Sequence, residues 1–251
     1  EWHECYILRN EDNKLILGRG LMGDVIIDID KTPHILIGGN TGSGKSVLVQ
    51  CLLWQAIHQA DVVYVADFKG GVDFSYVWQE FAYIITEEKK LLVLLNHLAD
   101  ILEERKRLFK GVDAANITEY REKSGDYMQR IVFACDEVAE LLDKTGADKS
   151  RKELLAQIEA RLALIARQGR AFGIHLILAT QRPDANILPG QIKNNMNIRI
   201  CGRADTTLST IIIGDGRAAE QIPHDAQGRF IMEDGTVFQA YYFSDDTISK
   251  W

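Results

Sequence analysis

The sequence predicts an α/β fold, a mostly parallel sheet with helices on both faces, built around a phosphate-binding loop. Three observations predict it. Short runs of continuous apolar residues alternate with longer amphipathic stretches, as expected of parallel strands buried on both faces and joined by crossover helices. The run Gly39-Asn40-Thr41-Gly42-Ser43-Gly44-Lys45-Ser46 fits G-x-x-x-x-G-K-[ST] at every defined position and lies between one such strand and one such helix. A later apolar run ends on the acidic pair Asp136-Glu137. At 251 residues, 46% of them hydrophobic, the chain can bury the core this sheet needs and lies near the upper size for one domain.

Taken in order, residues 1–30 read as a small β segment packed on the main α/β domain formed by residues 31–251. Its strands are Cys5 to Leu8, Leu15 to Leu17 and Val25 to Ile29, separated by the turn-prone Asn10-Glu11-Asp12-Asn13 and by Gly18, Gly20 and Gly23. His34 to Ile37 is a strand, Ser46 to Gln59 a helix and Val62 to Ala66 a strand of unbroken apolar character. Leu91, Leu95, Leu98 and Leu102 recur at helical spacing, which predicts a long amphipathic helix over Lys89 to Lys110. Ile131 to Cys135 is a third buried strand. Ser150 with Glu153 reads as a capping box opening a helix that runs to about Gly169. Ile174 to Ala179 and Ile198 to Cys201 complete the parallel set. Arg229 to Met232 and Thr236 to Phe243 flank Glu233-Asp234-Gly235, a hairpin signal.

Composition narrows the function classes. No apolar stretch approaches the ~20 residues of a membrane-spanning helix, and Glu1-Trp2-His3-Glu4 lacks the basic and apolar regions of a signal peptide. The four cysteines lie far apart without C-x-x-C, so reduced core thiols are expected rather than disulfides or a metal site. The six histidines form no pair at ligand spacing. A net charge of −7 argues against a surface made to coat nucleic acid, though a basic lining confined to a pore leaves that total unchanged.

The glycine-rich loop turns its N–H groups around an anion, and the helix behind it aims its positive end at the same place. The predicted nucleotide-binding set is Gly39, Asn40, Thr41, Gly42, Ser43, Gly44, Lys45, Ser46 and Val47, with Lys45 reaching the outer phosphates of ATP and Ser46 ligating Mg²⁺. Asp136 holds the Mg²⁺ shell through water, and Glu137 polarises the attacking water. Gln181, at the end of the neighbouring strand, is expected beside Asp136 and the γ-phosphate; the alternative is a helix N-cap and turn made by Thr180 and Pro183.

His34-Ile35-Leu36-Ile37 leading into the glycine-rich loop, then Cys135-Asp136-Glu137, then the stretch from Arg170-Ala171-Phe172-Gly173 through Ala179-Thr180-Gln181-Arg182-Pro183, resembles the motor domain of the FtsK/SpoIIIE family of DNA translocases. The resemblance covers about residues 30 to 232. It implies a RecA-like P-loop NTPase fold and a hexameric ring that hydrolyses ATP between subunits and moves double-stranded DNA through its centre. On this resemblance Gln181 is the γ-phosphate sensor and Arg170 the arginine finger, with Arg167 as the other candidate. A cation-favoured helix C-terminus is the competing explanation for both.

Two stretches depart from the chromosome-segregating members. Where those read roughly S-S-K-I-D-S-R in a pore-facing loop, this chain has Asp205-Thr206-Thr207-Leu208-Ser209-Thr210-Ile211, without either basic residue. Lys193 keeps another basic position and is the candidate DNA contact, or a solvated surface lysine. The second departure, Asp67-Phe68-Lys69-Gly70-Gly71, resembles type VII secretion motors and some conjugation-associated members. Arg105-Lys106-Arg107, interleaved with Glu103 and Glu104, reads as a solvated helix face. The expected activity is an ATP-driven ring motor moving DNA in conjugative or chromosomal transfer. The alternatives are a type VII motor acting on a secreted protein and a non-catalytic ATP-binding module. The expected location is the cytoplasm, as the cytosolic part of a membrane-associated protein whose membrane contacts lie outside this chain.

Overall fold

The computed structural model describes residues 13–69, 73–181 and 188–249. The strand expected at Cys5 to Leu8, the pair Gly70-Gly71 and the segment Arg182-Pro183 lie outside the described residues. In chain order the elements are β1 (Lys14–Gly20), β2 (Gly23–Asp28), β3 (His34–Gly38), α1 (Lys45–His58), β4 (Val62–Ala66), β5 (Tyr83–Ile85), α2 (Glu88–Gly111) and α3 (Ile117–Ser124). They continue with β6 (Ile131–Cys135), α4 (Val138–Leu142), α5 (Lys149–Gln168), β7 (Ile174–Thr180), α6 (Gly190–Lys193) and β8 (Ile198–Cys201). Last come α7 (Thr206–Ile213), α8 (Arg217–Gln221), β9 (Arg229–Met232), β10 (Val237–Ala240) and α9 (Asp245–Ser249).

The ten strands make one sheet in the order β2-β1-β10-β9-β8-β3-β7-β6-β4-β5. From β8 to β5 every pairing is parallel, and from β8 back to β2 every pairing is antiparallel. β3, β6 and β7 are buried at every residue, which is why they read as continuous apolar runs. Period-two alternation still divides their side chains. Ile35, Ile37, Val132, Ala134, Ile177 and Ala179 pack with α1, whereas Leu36, Phe133, Cys135, Leu176 and Leu178 pack beneath α2, α4 and α5. Register then aligns the strand ends: Gly38 lies opposite Thr180 and Cys201, and Ala66 opposite Cys135. The loops that follow β3, β4, β6, β7 and β8 therefore emerge along one edge, the place where open α/β sheets bind ligands.

Three local expectations are corrected. The cap of α5 is Asp148, whose carboxylate accepts from Arg151 N at 2.8 Å, while Ser150 lies inside the helix. Residues 205–211, expected as a loop, open α7: the Asp205 side chain accepts from Leu208 N at 2.8 Å and caps it, and Leu208, Ser209 and Ile211 are buried. Arg105 is not solvated but 7% exposed, and its guanidinium donates to the carbonyls of Phe172 (2.5 Å) and Gln129 (2.7 Å). Of that run, Arg107 remains exposed.

Two histidines are buried at the opposite end of the sheet. His34 Nδ1 accepts from Leu176 N at 3.0 Å, and His175 Nδ1 pairs with the carbonyl of Pro33 at 3.2 Å. Burial drives both below the ordinary 6.5, His34 to about 3 with help from His175, and His175 to about 4, where Asp30 partly opposes the shift and Arg130 adds to it. A lowered folded pKa means that the unfolded chain binds the proton first. The stability these neutral rings contribute is complete above about pH 6.5 and is lost as pH falls toward 4, on the order of 3 kcal/mol for each ring. Urea midpoints between pH 7 and 4.5 should fall steeply in the wild type and much less in His34→Asn/His175→Asn, whose amides lie at the Nδ1 positions and can replace the two hydrogen bonds. Equal slopes in the two proteins would refute this origin of acid sensitivity.

Candidate active site

β3 delivers the chain into the phosphate loop, and glycine makes the loop's closing turn. Gly44 caps α1 at φ +95°, in the left-handed region, and an added Cβ would come within 3.1 Å of the Gly228 backbone. The loop is braced by main-chain contacts from the end of β7, from the loop after β8 and from the residue before β9. Gly39 N donates to Thr180 O (3.3 Å), Asn40 N to Arg203 O (2.7 Å) and Gly228 N to Ser43 O (2.9 Å). The Arg203 guanidinium also donates to Thr41 O at 2.7 Å and to the His224 carbonyl. Beside the loop lies a cleft of about 360 Å³, lined by residues 40–47, Lys69, Asp73, Gln181 and Gln227. Of the predicted nucleotide-binding set, Gly39 alone shapes the loop without lining this cleft.

Lys45, 5% exposed, donates to Asp136 O at 3.2 Å and Asp136 Oδ1 at 3.3 Å, and its Nζ lies 3.9 Å from Glu137 Oε2. Ser46 Oγ donates to the same Asp136 Oδ1 at 3.2 Å. The hydroxyl and carboxylate assigned to Mg²⁺ thus stand side by side, a pair of hard oxygen donors of the kind that cation takes. Burial works to raise the Asp136 carboxyl, but the charges of Lys45 and Lys69 overcome it and hold the group below its ordinary range.

Glu137 follows β6 and is 6% exposed. Its Oε1 accepts from Thr180 Oγ1 at 2.7 Å, and Gln181 N donates to Oε1 and Oε2 at 3.2 and 3.0 Å. Two donors from the end of β7, the Thr180 hydroxyl and the bifurcated Gln181 N–H, fix the carboxylate. Burial raises its pKa above the ordinary 4.5, only partly offset by Thr180 and Lys45, and a more basic carboxylate is a better proton acceptor. The side chain of Gln181 turns the other way, its Oε1 accepting from Thr41 Oγ1 at 2.8 Å, so this residue joins the phosphate loop to the acidic pair. Thr180 donates to Glu137, and the turn expected with Pro183 lies outside the described residues.

The structure brings Lys45, Ser46, Asp136, Glu137 and Gln181 together; Arg170 and Lys193 lie elsewhere. Arg170 is exposed in a short 3-10 turn before β7, whereas the nucleotide cleft lies beyond its far end. The seven residues of β7 separate the two by roughly 20 Å. The Arg170 turn is held by Gly169 and Gly173, where an added Cβ would meet Ile174 O and Ile117 Cδ1 at 2.5 Å each, and by the buried Arg105. Arg167 is exposed near the end of α5. Lys193 ends α6 and is partly buried; Arg199 donates to its carbonyl at 3.0 Å. Burial and the Arg199 charge lower the Lys193 pKa. Sequence reasoning assigned no site role to Lys69, though it lies in the stretch Asp67-Phe68-Lys69-Gly70-Gly71 noted for its family likeness, and missed Asp73, Arg203 and Gln227, which no local motif marks.

A phosphate loop on a parallel sheet, with its lysine and serine bonded to a buried acidic pair on the neighbouring elements, defines a P-loop ATPase. The chain belongs to the FtsK/SpoIIIE family, whose description matches residues 6–185. It is 31% identical over 221 residues to a DNA translocase FtsK of Campylobacter jejuni and 32% identical over 221 residues to that of Treponema pallidum. Each alignment covers 83% of this chain but only 22% and 26% of those relatives. Among solved structures, the pCW3 conjugation coupling protein TcpA, in its monomer form with ATPγS, superposes with a TM-score of 0.93 at 40% identity, covering 99% of this chain and 72% of that one. The cytoplasmic domain of the type VII secretion ATPase EccC of Thermomonospora curvata superposes at 0.72 with 26% identity, covering 93% of this chain and 29% of that one.

Proposed function

We propose that the chain is the motor unit of a conjugative DNA translocase, one that hydrolyses ATP and moves double-stranded DNA. The observation that carries this reading is the joined cluster of Lys45, Ser46, Asp136, Glu137 and Gln181, since a degenerate module that only binds nucleotide has no need of a buried carboxylate held by three hydrogen bonds. The likeness to the conjugation coupling protein, at 40% identity, favours DNA over protein as cargo. Binding proceeds through the loop N–H groups and Lys45 on the phosphates. Ser46 and Asp136 would hold Mg²⁺, which when bound would supply neutralisation of phosphate charge. Glu137 accepts the proton of the attacking water, and Thr180 and the Gln181 amide keep its carboxylate aimed. Gln181, tied to Thr41, reports γ-phosphate occupancy to the end of β7.

Cargo is tested by ATPase rate with double-stranded DNA, single-stranded DNA and a candidate secreted peptide. Double-stranded DNA should stimulate, and stimulation should fall steeply with salt because each phosphate contact releases condensed counterion. Lys193→Ala should reduce the log–log salt slope by about 1 if its ammonium makes one such contact in the wild type. Stimulation by peptide alone would transfer the assignment to protein secretion, the reading that the 26% identity to EccC supports.

A further inference from the structure

Asp136 is gripped through both of its oxygens. Oδ1 accepts from Lys45 Nζ and Ser46 Oγ at 3.3 and 3.2 Å. Oδ2 carries a second ammonium, that of Lys69, which also bonds Asp73 Oδ2 at 3.3 Å. Lys69 comes from the turn after β4, and the Ala66–Cys135 register sets that turn beside Asp136. The turn is fixed by Asp67, whose Oδ1 accepts from Lys69 N at 2.9 Å. The Lys69 side chain is 30% exposed against 4% for Asp136, and it lines the nucleotide cleft. Its ammonium stands between two carboxylates, those of Asp136 and Asp73.

A cation on Ser46 and Asp136 would meet this ammonium on the same carboxylate, and two positive groups so close in a partly buried site repel strongly. We propose that Lys69 is a displaceable occupant of the metal position: its ammonium neutralises Asp136 until a metal–nucleotide complex arrives, then swings into the cleft toward the outer phosphates with Asp73 as its remaining anchor. This rests on the reading of Ser46 and Asp136 as the metal-holding pair. Lysine suits the role because a point charge on a four-carbon stem can change partners without rebuilding a bidentate geometry. The exchange keeps the buried carboxylate compensated in both states, and it makes a divalent cation alone a poor ligand for the nucleotide-free site. Metal and nucleotide then bind together, because the phosphates offer Lys69 the place it needs after leaving Asp136.

The test titrates Mn²⁺ into nucleotide-free protein and reads free Mn²⁺ by electron paramagnetic resonance. Lys69→Met should tighten Mn²⁺ binding about tenfold relative to wild type, Lys69→Arg should not, and the gain should vanish in Lys69→Met/Asp136→Asn. With a saturating non-hydrolysable ATP analogue present, the difference between wild type and Lys69→Met should shrink, since Lys69 has already left Asp136. Lys69→Gln repeats the test with a polar replacement, and circular dichroism checks that each variant folds. Unchanged Mn²⁺ affinity in folded Lys69→Met and Lys69→Gln overturns the proposal, as does a gain that survives Asp136→Asn. A wild type that binds the non-hydrolysable ATP analogue while Lys69→Met shows no such gain refutes the proposal alone, whereas a wild type that binds no nucleotide refutes the underlying site reading too.

Discussion

Glu137→Gln is expected to leave ATP binding near the wild-type level while slowing hydrolysis by about 10²–10⁴-fold, the range a positioned general base contributes. The amide can keep the contacts on the Oε1 side, where Thr180 Oγ1 donates at 2.7 Å and Gln181 N at 3.2 Å, so the end of β7 stays in place. What changes is the other position. An NH₂ there cannot accept from Gln181 N, now 3.0 Å from Oε2, and it carries no charge toward Lys45 at 3.9 Å. Lys45 retains Asp136, which preserves the phosphate contact. Equilibrium binding of a fluorescent ATP analogue together with single-turnover hydrolysis separates the two effects. Loss of binding with hydrolysis would show that Glu137 supports the fold or the cation, and would send the search for the base elsewhere.

What the sequence made legible was whatever is local in the chain. Val62–Ala66 and Ile131–Cys135 are bounded as expected because each is a continuous apolar run, and Ile198–Cys201 and Arg229–Met232 because each is apolar but for one arginine. The loop at 39–46 and the pair at 136–137 are contiguous motifs between such runs. The three-residue strand Tyr83–Ile85 offers no periodicity long enough to read, and α7 hides behind a Thr- and Ile-rich composition of low helical propensity until the Asp205 cap is seen. Arg105 looked solvated because its neighbours are charged, yet its partners are carbonyls 24 and 67 residues away. Lys69 and Thr180 join the site by the same kind of long-range contact, 67 residues from Asp136 and 43 from Glu137, distances that only sheet register can close. The chemistry could be anticipated from motifs, while the groups that aim and compensate it depend on topology.

Arg170 is where that distinction has its largest consequence. Exposed at the start of β7, it cannot reach the cleft of its own chain across the length of that strand, so a role in hydrolysis requires a neighbouring copy. Its turn is built to be rigid, wedged between two glycines that admit no Cβ and tied by the buried Arg105 to Phe172, which suits a group that must meet a partner's γ-phosphate in a fixed pose. Arg170→Ala should therefore bind ATP normally and, if copies assemble into the ring that the family resemblance implies, hydrolyse it about 10³–10⁵-fold more slowly. The deciding experiment mixes Arg170→Ala with Glu137→Gln subunits. At some interfaces an intact Glu137 then faces an intact Arg170, and activity should reappear although each variant alone is inactive. Recovery should peak at intermediate ratios and vanish at either extreme. Full activity in Arg170→Ala alone would exclude the finger and leave Arg167, at the end of α5, as the residue to test next.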